Sequence, residues 1–343
     1  MVRLVDIAKE LNLDVSVVSR ALNPNPDRHA VVKKETLECI RQTAKRLGYR
    51  PNRQASFLKK GGDATLLCYL PGFANRLSAD LMFGISEAAA EEGFPLTFFN
   101  GFKAESFIDF LERALDMKHS GLLTYPPILM NDEVRTAFER YLKSGGQVLM
   151  LNEASTPIAN PLPGHYSNLV RMDVDDAYGV SLAAAHLVER GCRHIRYLGP
   201  NYPIRREGLQ KSAARFGADC APLDWDELDA LRKKNEPVGI FAIRDADIFI
   251  IVVRLATEGY EIGKQVYLVG FDDMDQCLWL RPSLSSIHQP TREEGRRAVK
   301  KLINMIFGKT ERDETIKPYL MVRESTGGHR PDPGDSSTEE IIY

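Results

Sequence analysis

The sequence predicts a chain in two unequal parts: an all-α helix-turn-helix headpiece, and an α/β body of two doubly wound parallel-sheet lobes. Three observations carry this. Charge is divided along the chain: residues 1–62 hold 13 Lys and Arg against 6 Asp and Glu, a net of +7, while the rest of a chain with total −2 carries −9. The first 50 residues contain short amphipathic helical patterns and no strand-like run. From Thr65 onward, apolar runs alternate with helical stretches, the pattern of parallel sheets covered on both faces. A length of 343 residues accommodates two or three domains at roughly 100–200 residues each.

In the headpiece, Val5, Ile7, Ala8 and Leu11 share one face of a helix over residues 4–11. Asn12-Leu13 makes the turn, Asn tolerating the left-handed conformation. Asp14 is placed to accept from the free amides of a second helix as its N-cap. That helix, residues 15–22, buries Val18 and Leu22 and turns Ser16, Ser19 and Arg20 outward, stopping at Asn23-Pro24-Asn25-Pro26. Two helices joined in this way are the geometry whose second helix enters the major groove, although an ordinary helical hairpin has the same pattern. A third helix over 34–47, with Leu37, Ile40, Ala44 and Leu47 on one face, ends at Gly48. After Pro51, residues 52–60 form a short basic helix that needs docking to be stable, closed by Gly61-Gly62. A small basic head on an acidic body points to a polyanionic partner.

In the body, strands are expected at 65–70, 95–99, 121–125, 147–151, 194–199, 238–243 and 265–270. Helices lie between them at 79–92, 107–118, 177–190 and 245–258. Such units place a ligand cleft at the carboxyl ends of the strands. The tail from 331 to 343, "PDPGDSSTEEIIY", has the composition of a disordered segment.

Several classes are disfavoured. No apolar run approaches the ~18 residues of a membrane span, and charges interrupt the stretch where a signal peptide keeps its apolar core. A cytoplasmic location without membrane attachment is expected. The five cysteines are scattered without metal or disulfide spacing, and neither a metal site nor a cofactor is implied. No GxGxxG follows a strand, and no GxxxxGK[ST], GxSxG or HExxH occurs, so an enzyme is not expected.

"LVDIAKELNLDVSVVSRALN", then Val32 to Thr36 as V-x-x-x-T, then "LGYRPNRQASFLKKG" together resemble the headpiece of the lactose-repressor/galactose-repressor family across about 60 residues. The likeness continues to about residue 328 through "NRLSADLMFGISEAAAEEGF", "MDVDDAYGVSLAAAHLVERGCRHIRYLGP" and "VYLVGFDD" with "PSLSSIHQPTREEGRRAVKKLI". The resemblance implies a headpiece at 1–50, a hinge helix and linker at 51–62, and a two-lobed effector-binding and dimerisation domain of periplasmic-binding-protein type at 63–330. It implies a repressor acting as a homodimer on a pseudo-palindromic double-stranded DNA operator with a central CG-type step. Val15, Ser16 and Arg20 would read bases, and Ser19 and Asn23 would hold phosphates. Leu4, Asn52 and Ala55 would add DNA contacts, with Leu58 as a wedge in the minor groove. Arg bonding guanine, Ser reading either base edge and Val meeting a thymine methyl agree with these roles, as does a leucine that unstacks one step. The chain departs from the pattern at Asp14, Val17 and Lys33, and in a longer loop at 24–30.

For the cleft, the resemblance implies effector contacts at Asn75, Arg205, Arg244 and Asp272, with Asn152 and Trp225 as weaker placements. A bidentate Arg with a facing carboxylate suits a sugar's vicinal hydroxyls. Arg76 follows Asn75 where apolar residues are usual, so Arg76, Arg205 and Arg244 together favour a sugar or an anionic sugar derivative. The alternative is that Arg244 pairs with a nearby Asp. The stretch from 208 to 241 reads as shortened, lacking a strand–helix piece of the second lobe. A regulator with a degenerate pocket, controlled by a protein partner or by no ligand, is the competing expectation.

Overall fold

The computed structural model describes residues 2–22, 32–49, 65–72, 75–117, 121–126, 131–153 and 166–329. The chain divides into two compact units, Met1–Gly61 and Gly62–Tyr343.

The first unit contains α1 (Leu4–Leu11), α2 (Val15–Ala21) and α3 (Lys34–Arg46). Asn12 turns the chain at φ 49°, and the Asp14 carboxylate accepts from the Ser16 amide at 2.7 Å. The helices close on Ile7, Ala8, Val18, Ala21, Ile40 and Ala44. Leu22, the C-cap of α2, packs half-buried against this core, and Ala21 beside it is buried. Gly48, at φ 67°, follows α3 as its sequence required. Each fully buried aliphatic side chain in so small a core stabilises it by about 1.5–3 kcal/mol, so none is dispensable.

The second unit has two lobes. The first sheet contains β1 (Leu66–Leu70), β2 (Leu96–Asn100), β3 (Gly121–Thr124), β4 (Gln147–Leu151), β5 (Leu169–Val174) and β11 (Glu314–Ile316), in the order β11-β5-β4-β3-β1-β2, all parallel. The second contains β6 (His194–Leu198), β7 (Asp219–Pro222), β8 (Val238–Ala242), β9 (Val266–Asp272), β10 (Ser285–His288) and β12 (Tyr319–Met321), in the order β12-β10-β9-β8-β6-β7. Only the β10–β12 pairing is antiparallel there. Continuous apolar strands are buried on both faces: Leu66, Cys68 and Leu70 enter one core while Leu67 and Tyr69 enter another.

Helices α4 (Arg76–Glu92), α5 (Ala104–Asp116) and α6 (Asp132–Lys143) cover the first sheet. In the second lobe lie α7 (Asp176–Glu189), α8 (Pro203–Arg215), α9 (Trp225–Lys233), α10 (Asp245–Thr257) and the short α11 (Gln276–Trp279). The chain crosses between lobes after β5, after β10 and after β11, and the second crossing returns α12 (Thr291–Ile306) to the first lobe. There α12 lies tightly on α4. A Cβ on Gly84 would stand 1.9 Å from the Arg292 carbonyl oxygen, and one on Gly295 would stand 2.6 Å from that of Leu81.

One expectation is overturned. The stretch from 208 to 241 contains the strand–helix pair β7 and α9, so the second sheet keeps six strands. A short, half-exposed edge strand reading Asp-Cys-Ala-Pro carries no apolar pattern, which is why the sequence hid it. Among the described residues no helix is long and apolar enough to cross a membrane.

Candidate functional site

Two surfaces of the chain carry recognisable chemistry. In the first unit, α2 is anchored by Val18 and Ala21, which fixes the opposite face outward. Val15, Ser16 and Ser19 are exposed on that face and Arg20 is half-buried beside them. Arg20 folds back one turn, its Nε donating to the Ser16 carbonyl at 3.2 Å and its Nη2 to the Ser16 hydroxyl at 3.1 Å. The face therefore presents a methyl pair, two hydroxyls and a guanidinium, a set able to read base edges and hold phosphates. Leu4 begins α1 and packs partly into the headpiece core. Asn23, Asn52, Ala55 and Leu58, with the expected hinge helix and the 331–343 tail, lie outside the described residues.

In the second unit, the carboxyl ends of the two sheets meet at a cleft, where open α/β sheets bind ligands. Arg205 on α8 is buried at its centre. Its Nε and Nη2 donate to the two Asp176 oxygens at 3.0 and 3.4 Å, and its Nη1 donates to the Ile243 carbonyl at 2.8 Å and to Asp272 Oδ1 at 3.3 Å. The guanidinium also stacks 3.7 Å from the Phe271 ring centroid. Burial opposes its charge, but Asp176 and Asp272 outweigh burial and hold it protonated. Asp272 takes a further hydrogen bond from Gln289 Nε2 at 2.7 Å. Burial pushes the Asp272 carboxyl up, and Arg205 opposes that rise.

The backbone here is strained. Asp272 and Asp273 have φ of 112° and 51°, and Asn152 has 52°. Each such non-glycine residue costs about 1–3 kcal/mol, which surrounding contacts must offset. For Asp273 they are the His288 ring at 2.8 Å and the Arg323 guanidinium at 2.7 Å.

The cleft arginines do not stand as the sequence implied. Arg76 donates from Nε to the Asp273 carbonyl at 2.8 Å, from Nη2 to the Asp272 carbonyl at 2.6 Å and from Nη1 to Asp80 at 2.6 Å. It ties α4 of one lobe to the end of β9 in the other. Arg244 pairs with Asp247 at 2.9 Å, the alternative that the neighbouring aspartates suggested. All three guanidiniums have internal acceptors, and of them Arg244 keeps the most exposed side chain, at 46%. Asn75 caps α4, its Oδ1 accepting from the Ser78 amide at 3.0 Å. Trp225 opens α9, its ring covered by the Arg254 guanidinium at 3.7 Å.

Asn152 reaches the cleft but is held there. Its Oδ1 accepts from the Val174 amide at 3.0 Å, and its Nδ2 donates to Glu294 Oε1 at 2.7 Å and to the Tyr125 hydroxyl. Burial, followed by the charge of Asp173, pushes the Glu294 carboxyl up to about 8. Asp176, Gln289, Glu294 and Tyr125 were not anticipated. In "TREEG", Glu294 reads no differently from the exposed Glu293, and only its spacing from Thr291 and Gly295 marks the inward face. No cluster of metal-ligating side chains occurs among the described residues.

Comparison with known proteins agrees with this geometry. Residues 184–326 match the model of a periplasmic binding protein-like domain. The NTD biosynthesis operon regulator NtdR of Bacillus subtilis is 23% identical, the alignment covering 94% of this chain and 98% of the relative. The catabolite control protein A of Priestia megaterium is 24% identical over 92% of this chain and 95% of its own length. Among solved structures, a transcriptional regulator CelR–cellobiose complex has a TM-score of 0.62 at 21% identity, covering 95% of this chain and 100% of that one. The lac repressor dimer bound to operator and the anti-inducer ONPF has a TM-score of 0.62 at 20% identity, covering 95% and 99%. These structural likenesses establish the fold.

Proposed function

Since the chain belongs to the lactose-repressor/galactose-repressor family of transcriptional regulators, we propose that it is a sequence-specific DNA-binding repressor, dimeric on a pseudo-palindromic operator and controlled by a small-molecule effector of sugar type in the interlobe cleft. The observation that carries this reading is the outward face of α2, where Val15, Ser16, Ser19 and Arg20 stand together on a helix fixed by an apolar core. In this reading Val15, Ser16 and Arg20 meet base edges, Ser19 and Asn23 meet phosphates, and Leu4, Asn52, Ala55 and Leu58 complete the contact with DNA. The protein works in the cytoplasm, where its operator is.

Dimerisation suits the surface of the second unit. Phe83 on α4, Ile250 and Val253 on α10 and Trp279 on α11 are large apolar side chains left exposed, Ile250 by 76%. In this reading these side chains meet a two-fold partner, whose symmetry would match that of the operator. In the cleft, Arg205 and Asp272 with Gln289 would form the polar centre against which sugar hydroxyls bind, with Asn75, Arg76, Asn152 and Arg244 around it. An effector that changes the angle between lobes would change the spacing of the two headpieces, which is how one site would control the other.

Selection of bound DNA from a random pool at physiological salt tests the reading. An inverted repeat with a fixed centre is the expected product. Salt-sensitive retention of every sequence alike would overturn it, because phosphate contacts alone give that behaviour.

A further inference from the structure

Two buried polar atoms in the cleft have no hydrogen-bond partner among the described residues: Oε2 of Glu294 and Oγ1 of Thr291. They lie three residues apart on the first turn of α12, so they share a face. Glu294 is fully buried and Thr291 is 3% exposed, so solvent does not satisfy either group. A buried donor or acceptor left unmade is costly, and native proteins keep few without a use. The groups facing Glu294 are the Tyr125 hydroxyl from the end of β3, the Asn152 amide from the end of β4, Asp173 on β5 and Asp176 at the start of α7. These elements offer acids or acid-bound groups, and none of the groups named is a cation. The cleft arginines cannot supply one, because Arg76, Arg205 and Arg244 already hold Asp80, Asp176, Asp272 and Asp247.

We propose that this corner is an ammonium subsite: the effector is a small polyol bearing an amino group, held by Glu294 Oε2 with the Thr291 hydroxyl beside it. The inference rests on the reading of the cleft as an effector site and adds the chemical class that the site selects. A neutral hydroxyl would make one hydrogen bond to Glu294. An ammonium makes that bond and also compensates the carboxylate charge that burial beside Asp173 and Asp176 otherwise disfavours, so the amine is preferred. An ammonium beside Glu294 also favours its ionised form, which burial disfavours in the empty cleft. Binding therefore releases a proton below pH 8. Affinity for the protonated amine therefore tightens as pH rises toward about 8, by up to about tenfold per pH unit, until the amine loses its own proton.

The test uses the full chain and thermal-shift titration with matched sets: glucose, galactose and mannose; glucosamine, galactosamine and mannosamine; and the corresponding 6-phosphates and uronic acids. The expected result is stabilisation by at least one amino sugar, with Kd about tenfold or more below that of its neutral counterpart. Glu294→Gln should remove that preference and its pH dependence, and Thr291→Val should weaken it while retaining the pH dependence. Equal or better binding of the neutral or acidic counterparts, or a preference unchanged in Glu294→Gln, would overturn the ammonium subsite and leave the effector reading standing. Stabilisation by no member of any set would overturn both, which separates the two failures.

Discussion

Replacing Arg76 by Met should loosen the two lobes from each other without unfolding either. The side chain is 7% exposed and makes two hydrogen bonds to the Asp272 and Asp273 carbonyls across the cleft, at 2.6 and 2.8 Å. Its third bond, to Asp80, stays within α4. Hydrogen bonds to charged groups contribute about 1.5–3 kcal/mol each, so the interlobe pair is worth about 3–6 kcal/mol before relaxation. Water entering the opened cleft regains part of this, leaving about 2–4 kcal/mol. Met preserves most of the stem's packing, so the change falls on the bonds rather than on a cavity. A shift of about 2 kcal/mol moves the closed-to-open ratio about thirtyfold, and effector affinity falls with the closed fraction. Small-angle scattering of the unliganded protein should show a larger radius of gyration, and titration should show a weaker Kd. An unchanged scattering profile with an unchanged Kd would refute the argument and reduce Arg76 to a local contact of α4.

Arg205→Met leaves Asp176 and Asp272 buried without their cation, and should lower stability by about 3–5 kcal/mol in chemical denaturation. Gly84→Ala drives a Cβ to 1.9 Å from the Arg292 carbonyl oxygen and should cost about 1–3 kcal/mol as α4 and α12 separate, read as a lower denaturation midpoint. Arg20→Ala should cost about 1–3 kcal/mol on the selected operator and relax preference at one base position; an equal loss on all sequences would make Arg20 a phosphate contact. The folded Glu294 carboxyl titrates at about 8, above the ordinary carboxylate range, so the unfolded chain holds fewer protons between those values and stability falls as pH rises through that window. Glu294→Gln should flatten this fall in stability scans from about pH 5 to 8.

The strands that the sequence marked most clearly are those buried on both faces. Leu66 to Leu70, Gln147 to Leu151 and Val238 to Ala242 are runs of apolar side chains because each side of the sheet is covered. The strands that escaped notice are short or mixed. β5 reads Leu-Val-Arg-Met-Asp-Val with charges among its apolar residues, β7 is an exposed edge, β10 reads Ser-Ser-Ile-His, and β11 and β12 hold three residues each. Their pairing is set by neighbours rather than by a hydrophobic pattern, so nothing local announces it. The cleft was partly legible for a related reason. Asp272 and Arg205, which the family resemblance marks, locate the centre. Pairing is not written in spacing, so Arg76 read as a free cation when it is a tie between lobes. Asp176 and Glu294 come together only through the crossings after β5 and β10.

Those crossings explain how one small ligand could act on the whole second unit. Asp272 is bonded twice over: its carboxylate receives Arg205 and Gln289 from its own lobe's side of the cleft, while its carbonyl receives Arg76 from the other lobe. Its φ of 112° is kept only while these partners hold it. A ligand that draws on the carboxylate alters the balance that fixes this backbone, and with it the carbonyl that Arg76 grips. At the opposite wall, Glu294 sits on α12, which leaves the cleft packed against α4, the helix that carries Arg76. The Gly84 and Gly295 contacts leave almost no slack between those two helices, so displacement of α12 carries α4 with it. Ligand contacts on either wall therefore converge on Arg76, and its two interlobe bonds are where binding energy would become a change of angle.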